Sequence, residues 1–143
     1  MDYTDNFKSS IDNMEKALLM LADVVSHTST YDSKKAYTPR ELEAYDSLMI
    51  RFLRAYEIFV GNVLKSCDFM FENASLGELK DRLNRAEKRE ILTNVDEWMN
   101  MRRIRNVIAP EYAAEKLYEM DKAIRVWVKM LQQAFEKVKS IKL

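Results

Sequence analysis

Arg105, Asn106, Pro110 and Tyr112 stand close together in one short segment, Arg105-Asn106-Val107-Ile108-Ala109-Pro110-Glu111-Tyr112. The residue types point to phosphate chemistry. A guanidinium forms a planar fork that binds phosphate bidentately and keeps its charge. A phenol at the start of a helix is open to attack or modification. The usual mover of protons near neutral pH, an imidazole, is missing from the segment. The chain has a single histidine, His27, far away at the expected end of the first helix, where a surface or helix-end role is expected. Proline at 110 cannot act as acid, base or hydrogen-bond donor.

The elements that must hold this segment are read from periodicity. Phe7, Ile11, Met14, Leu18, Leu21 and Val25 alternate steps of four and three, predicting a helix from about residue 5 to 27. Ser26 to Tyr37 is polar and reads as a loop. Thr38-Pro39-Arg40-Glu41 combines a capping threonine, a proline at the first helical position and a glutamate that completes a capping box. The stripe Leu42, Tyr45, Met49, Phe52, Tyr56, Phe59, Val63 continues from it for about seven turns, and Gly61 weakens that helix without having to break it. Ser75-x-x-Glu78 predicts a third helix, reaching about Lys88. Asn94-x-x-Glu97 predicts a fourth, carrying Val95, Trp98, Met101 and Ile104 and stopping near Ala109, ahead of the proline. A last helix from about Glu111 is expected to bury Ala114, Leu117, Ile124, Trp127 or Val128, Leu131, Phe135 and Val138. The helix from Asn94 is expected to continue the one from Ser75 after a break. The fold class is therefore all-α: an up-and-down antiparallel helical bundle of four main rods, the third one broken, forming one domain over 1–143.

Composition supports this. The 143 residues suffice for one core, and 2 Gly and 2 Pro against 48% hydrophobic and 32% charged residues fit a compact helical chain. Basic and acidic residues balance at 23 each, so any contact with nucleic acid must come from a local cluster. Cys67 has no partner for an internal disulfide and is expected to be a small buried hydrophobe, in keeping with a reducing compartment. One cysteine and one histidine do not make a zinc site of the usual ligand count, and no cofactor is expected. No apolar run nears the roughly 20 residues that span a bilayer, and no signal-peptide pattern opens the chain, so a soluble cytoplasmic protein without membrane partners is expected. Lys80, Arg82, Arg85, Lys88 and Arg89 are interleaved with Asp81, Glu87 and Glu90, and read as a solvated helical face that could guide an RNA backbone if it borders the Arg105 groove.

The segment at 105–112 resembles the signature of the HEPN family of RNA-cleaving proteins: an arginine, a polar residue, three residues, a histidine, one residue, a tyrosine. Pro110 occupies the position of the histidine. The resemblance extends to Arg82-Leu83-Asn84-Arg85-Ala86-Glu87-Lys88, Ile91-Leu92, Trp98 and Met101-Arg102, and to Arg51-Phe52 and Glu57 on the preceding long helix. It covers roughly residues 40 to 125.

The resemblance implies a metal-independent endoribonuclease fold, the toxin of a type VII toxin–antitoxin module, neutralised by a minimal nucleotidyltransferase antitoxin. It implies a homodimer in which two copies of the motif share one cleft and two Arg105 side chains repel until an anion lies between them. Arg105 would hold the phosphate, Asn106 would orient the imidazole that Pro110 has replaced, and Tyr112 would accept adenylate, bringing negative charge into an arginine-lined cleft. Arg51, Glu57 and Arg102 would line that cleft. Tyr112 could also simply pin the last helix to the bundle. Pro110 has three readings: a natural loss of catalysis, a substitution in a toxin too harmful to produce intact, or tolerance through another base. Cleavage by the chain as it stands is expected to be strongly reduced or absent. The alternatives are a non-catalytic substrate-binding subunit of a nucleotidyltransferase, and a helical adaptor that kept only the fold.

Overall fold

The computed structural model describes residues 3–104 and 114–141, and these form an all-α helical bundle. Helix α1 spans Thr4–His27 and α2 spans Pro39–Ile58. A single π-helical turn, Phe59–Val63, joins α2 directly to α3, Leu64–Glu72, so the second rod is longer than its apolar stripe suggested. Helices α4 (Leu79–Lys88) and α5 (Val95–Met101) are short, and α6 runs from Ala114 to Lys139. Among the described residues no helix is long and apolar enough to cross a membrane.

Side-chain contacts fix the directions. Tyr45 donates to the carbonyl of Ser29, Arg51 to that of Met20, and the Tyr3 ring lies 5.1 Å from Phe69, so α1 runs antiparallel to the α2–α3 rod. Arg125 donates to Thr28 while Lys139 meets Glu15, so α6 is antiparallel to α1 as well. The apolar stripes supply the core. Met14, Leu21, Phe52, Phe59, Ile124, Leu131 and Val138 are fully enclosed, and Trp127 and Val128 are both buried. At roughly 1.5–3 kcal/mol for each large side chain, that burial is what holds the rods together.

The capping box at Thr38 forms as expected: the Glu41 amide donates to the threonine hydroxyl and the Thr38 amide to the Glu41 carboxylate. These bonds hold the Glu41 carboxyl below its ordinary value. The box expected at Ser75 does not form. Helix α4 starts three residues later, with the Glu78 amide donating to Asp81 at 2.9 Å. Gly77 precedes it at φ +81°, and a Cβ there would meet the Asp81 carboxylate at 2.3 Å. Asn94 caps α5 through the Glu97 amide, at 3.3 Å, from a left-handed backbone. Regular α-helix ends at Met101, and bonds of the tighter i→i+3 type follow at Arg102 and Arg103. The expected stop near Ala109 and start near Glu111 lie outside the described residues, as does the side chain of Ala114.

Ser75 is diverted by a buried carboxylate. Asp68 is 0% exposed on α3. It accepts hydrogen bonds from Ser75 (2.8 Å), Arg85 (2.8 Å) and Arg89 (2.6 Å), and Arg82 lies 3.8 Å away. Arg82 also reaches back to the Ser75 hydroxyl and to the carbonyl of Val60 in the π-turn, at 2.9 Å. Arg89 continues to Glu72. The basic stretch is thus not a solvated face: Lys80 and Lys88 are exposed, but the three arginine side chains keep only 19, 18 and 17% of their surface. Their partner lies 17 residues from Arg85 and 21 from Arg89 along the chain, where local charge patterning gives no hint of it.

Burial by itself would raise the Asp68 carboxyl, but the bonds from Arg85, Arg89 and Ser75 outweigh it and hold the group below its ordinary value. A depressed folded value means stability that is complete above the unfolded value, near pH 4, and is lost as pH falls through the folded one. Asp68→Asn should cost about 3–5 kcal/mol, because three enclosed guanidiniums lose their counter-charge. Urea unfolding followed by tryptophan fluorescence measures it. The variant should also lose the part of the acid sensitivity that Asp68 gives the wild type; equal stability of the two proteins at pH 7 would refute the assignment.

Candidate functional site

Arg105, Asn106, Pro110 and Tyr112 lie outside the described residues, so the structure bears on this site through its two flanks. On the upstream side, α5 is clamped into the bundle by Trp98. The Trp98 indole packs on Tyr56 and Phe59, with centroids 6.5 and 5.5 Å away, and the Tyr56 hydroxyl donates to the Trp98 carbonyl at 2.8 Å. Met101 and Ile104 follow as fully buried residues, so the chain is anchored up to the residue before Arg105. Glu97 ties the same helix to α6 by accepting from the Trp127 indole at 2.7 Å, and the Trp127 ring lies 5.6 Å from Phe52.

On the downstream side α6 is held by Leu117, which is buried, and by Asp121. Asp121 is 2% exposed. It accepts the Tyr31 amide at 3.0 Å and pairs with Arg125, whose Nη2 also donates to the Thr28 carbonyl. The loop after α1 is therefore a strap fixed to α6 rather than a purely solvated connection. Tyr31 is buried in it, stacked on Tyr37 at 4.8 Å and edge-on to Tyr45 at 5.2 Å. Burial raises both the Tyr31 and the Tyr45 phenol. The polar composition of this loop concealed the role of its tyrosines.

The three further residues expected at a cleft have distinct surroundings. Arg102 is exposed at the end of α5, and its charge partly offsets the burial that pushes the Tyr56 phenol up to about 12. Glu57, next to Tyr56 on α2, is half-buried and engaged. Arg51 is turned toward α1, donating to Met20 at 2.8 Å with Asp23 at 3.8 Å. Five residues separate Arg51 from Tyr56, about 140° around the helix, so Arg51 and the Tyr56 side lie on different faces of α2. His27 is exposed and bonded to the Asp23 carbonyl at 2.8 Å, a helix-end arrangement.

Cys67 lies within α3, fully buried, and burial pushes its thiol up to about 12. A protonated, enclosed thiol is a poor nucleophile. Native protein should leave a thiol reagent at neutral pH essentially unreacted, and denatured protein should consume one equivalent rapidly; fast reaction of the folded chain would contradict this placement.

No protein-family model matches the chain, and no curated protein matches it either.

Proposed function

We propose that this chain is a HEPN-type toxin in which the RNA-cleaving site has lost its proton carrier at Pro110. The segment Arg105–Tyr112 supports this most directly: a phosphate-binding residue, an amide and a phenol stand at family spacing. They fall between two helices that the bundle anchors firmly, through Ile104 on one side and Leu117 on the other. Arg102, exposed beside Tyr56, adds a second cation at the same joint.

Metal-free RNA cleavage needs a base for the 2′-hydroxyl, positive charge for the pentavalent phosphorus and an acid for the leaving oxygen. In this reading Arg105 supplies the charge, doubled across a two-fold axis in a homodimer. Neither Asn106 nor Pro110 can supply the proton transfers. Losing a general acid–base costs about a hundredfold to ten-thousandfold in rate. The partner is a minimal nucleotidyltransferase that silences the site by adenylylating Tyr112.

The proline itself favours a second reading, a non-catalytic subunit that presents substrate to the nucleotidyltransferase. Pro110→His separates the two. The toxin reading expects the variant to arrest growth and cleave RNA, and expects co-expressed nucleotidyltransferase to relieve the arrest while adding the mass of adenylate to Tyr112. No gain of toxicity or cleavage, together with tight association with the nucleotidyltransferase, would overturn it in favour of the subunit.

A further inference from the structure

On the other side of α2, two cavities of about 310 and 400 Å³ lie between α1 and the α2–α3 rod. They share Asn13 and Asn62 and so form one groove. Its α1 wall uses residues 6, 9, 13, 16 and 20, and its opposite wall uses 51, 54, 58, 62, 65 and 69. Both are stripes of three- and four-residue steps, one helical face each. From Asn6 to Met20 the groove runs about 21 Å.

Every charged side chain lining the groove is cationic: Lys16, Arg51, Arg54 and Lys65. In a chain with 23 residues of each sign this is a local separation of charge. Arg51 is engaged with Met20 and Asp23. Lys16, Arg54 and Lys65 are exposed and form no ion pair among the described residues. The acids Asp5 and Asp12 on α1 do not line either cavity. The amides of Asn6, Asn13 and Asn62 are distributed over both walls, and the half-buried Phe69 lies at one end. Gly61 stands in the lining at the π-turn, where an added Cβ would meet nothing within 4 Å. Packing thus does not demand a glycine there, and its lack of a side chain leaves the groove open.

We propose that this groove binds a single nucleic-acid strand. Lys16, Arg54 and Lys65 take its phosphates, and the three asparagines take the edges of unpaired bases. A length of about 21 Å is several times the roughly 3.4 Å rise per phosphate of a helical strand, so even a strand with unstacked bases places more than one phosphate along it. Amides on both walls suit bases that are splayed out, which a duplex does not offer. An acidic helix would use the cations but not the amides. The inference uses none of the motif residues; it adds a strand path to the proposed function and stands or falls separately from it.

Fluorescence anisotropy with end-labelled short oligouridylate and oligothymidylate, over a range of salt, tests the groove. The triple variant K16Q/R54Q/K65Q should weaken binding roughly tenfold or more and reduce the log–log salt slope by about 2, at about 0.7 for each phosphate left without a cation. Gly61→Leu, which fills the open space, should weaken binding with the slope unchanged. K122Q/K129Q/K137Q, on α6, should bind as wild type does, and the groove triple variant should lose the same factor in an Arg105→Ala background. Absent binding by the wild type, equal weakening in the α6 variant, or displacement by polyglutamate as effective as by unlabelled strand would each overturn the proposal. Circular-dichroism melts of every variant exclude unfolding as the cause.

Discussion

Burying a carboxylate is costly, and Asp68 is fully enclosed in α3. The surroundings offset that cost with a hydroxyl and two charged hydrogen bonds, with a third guanidinium close by. The consequence is geometric. Arg82, Arg85 and Arg89 lie on one side of α4, so satisfying Asp68 fixes the rotation of α4 against α3. Arg82 also donates to Val60, which attaches α4 to the π-turn. The Arg85 Nε is the one buried side-chain donor without a partner among the described residues, and the same side chain's two other nitrogens are both bonded. Such an arrangement tolerates replacement of the whole cluster by apolar residues better than removal of one member.

From α4 the constraint passes to α5. Only Arg89 to Asn94 separate the two helices, with left-handed backbone at Glu90 and Asn94 and with Ile91 and Leu92 buried between. Trp98 then meets Tyr56 and Phe59, and Glu97 meets Trp127. Aromatic contacts of this kind contribute about 0.5–1.5 kcal/mol beyond the area they bury. They set the position of α5 against α2 and α6 together, which is where the segment holding Arg105 begins. The strap of Tyr31 and Asp121 does the corresponding work for α6.

What the sequence made legible was local or periodic. The stripes of α1, α2 and α6 emerge as core because one helical face must leave water. The Thr38 cap is readable because both of its partners lie within three residues. The Ser75 box failed for the opposite reason: its hydroxyl has a better acceptor in Asp68, seven residues back on another helix. An acid on the helical face marked by Leu64 and Cys67 was one signal in the chain. The arginines with steps of three and four residues were a second, and only together do they imply a buried ion cluster. Gly61 was readable as a weak point, but not as a π-turn, since the extra residue is accommodated by a bond from Leu64 to Phe59 and by the guanidinium of Arg82. The Arg105 segment was legible through family resemblance, and only its flanks through physics.

A net charge of zero conceals how differently the cations are used. Screening at physiological salt acts over about 8 Å, so a ligand responds to the charges within that distance and not to the sum. Arg82, Arg85 and Arg89 face carboxylates at close range and project little field outward. Arg125 is neutralised by Asp121 in the same way. Lys16, Arg54 and Lys65 have no such partner among the described residues and share a concave surface, where field lines concentrate. Arg82, Arg85, Arg89 and Arg125 stand where planar, directional bonds hold elements together. The open groove carries the guanidiniums of Arg51 and Arg54 beside the flexible Lys16 and Lys65, whose mobile point charges need no fixed geometry.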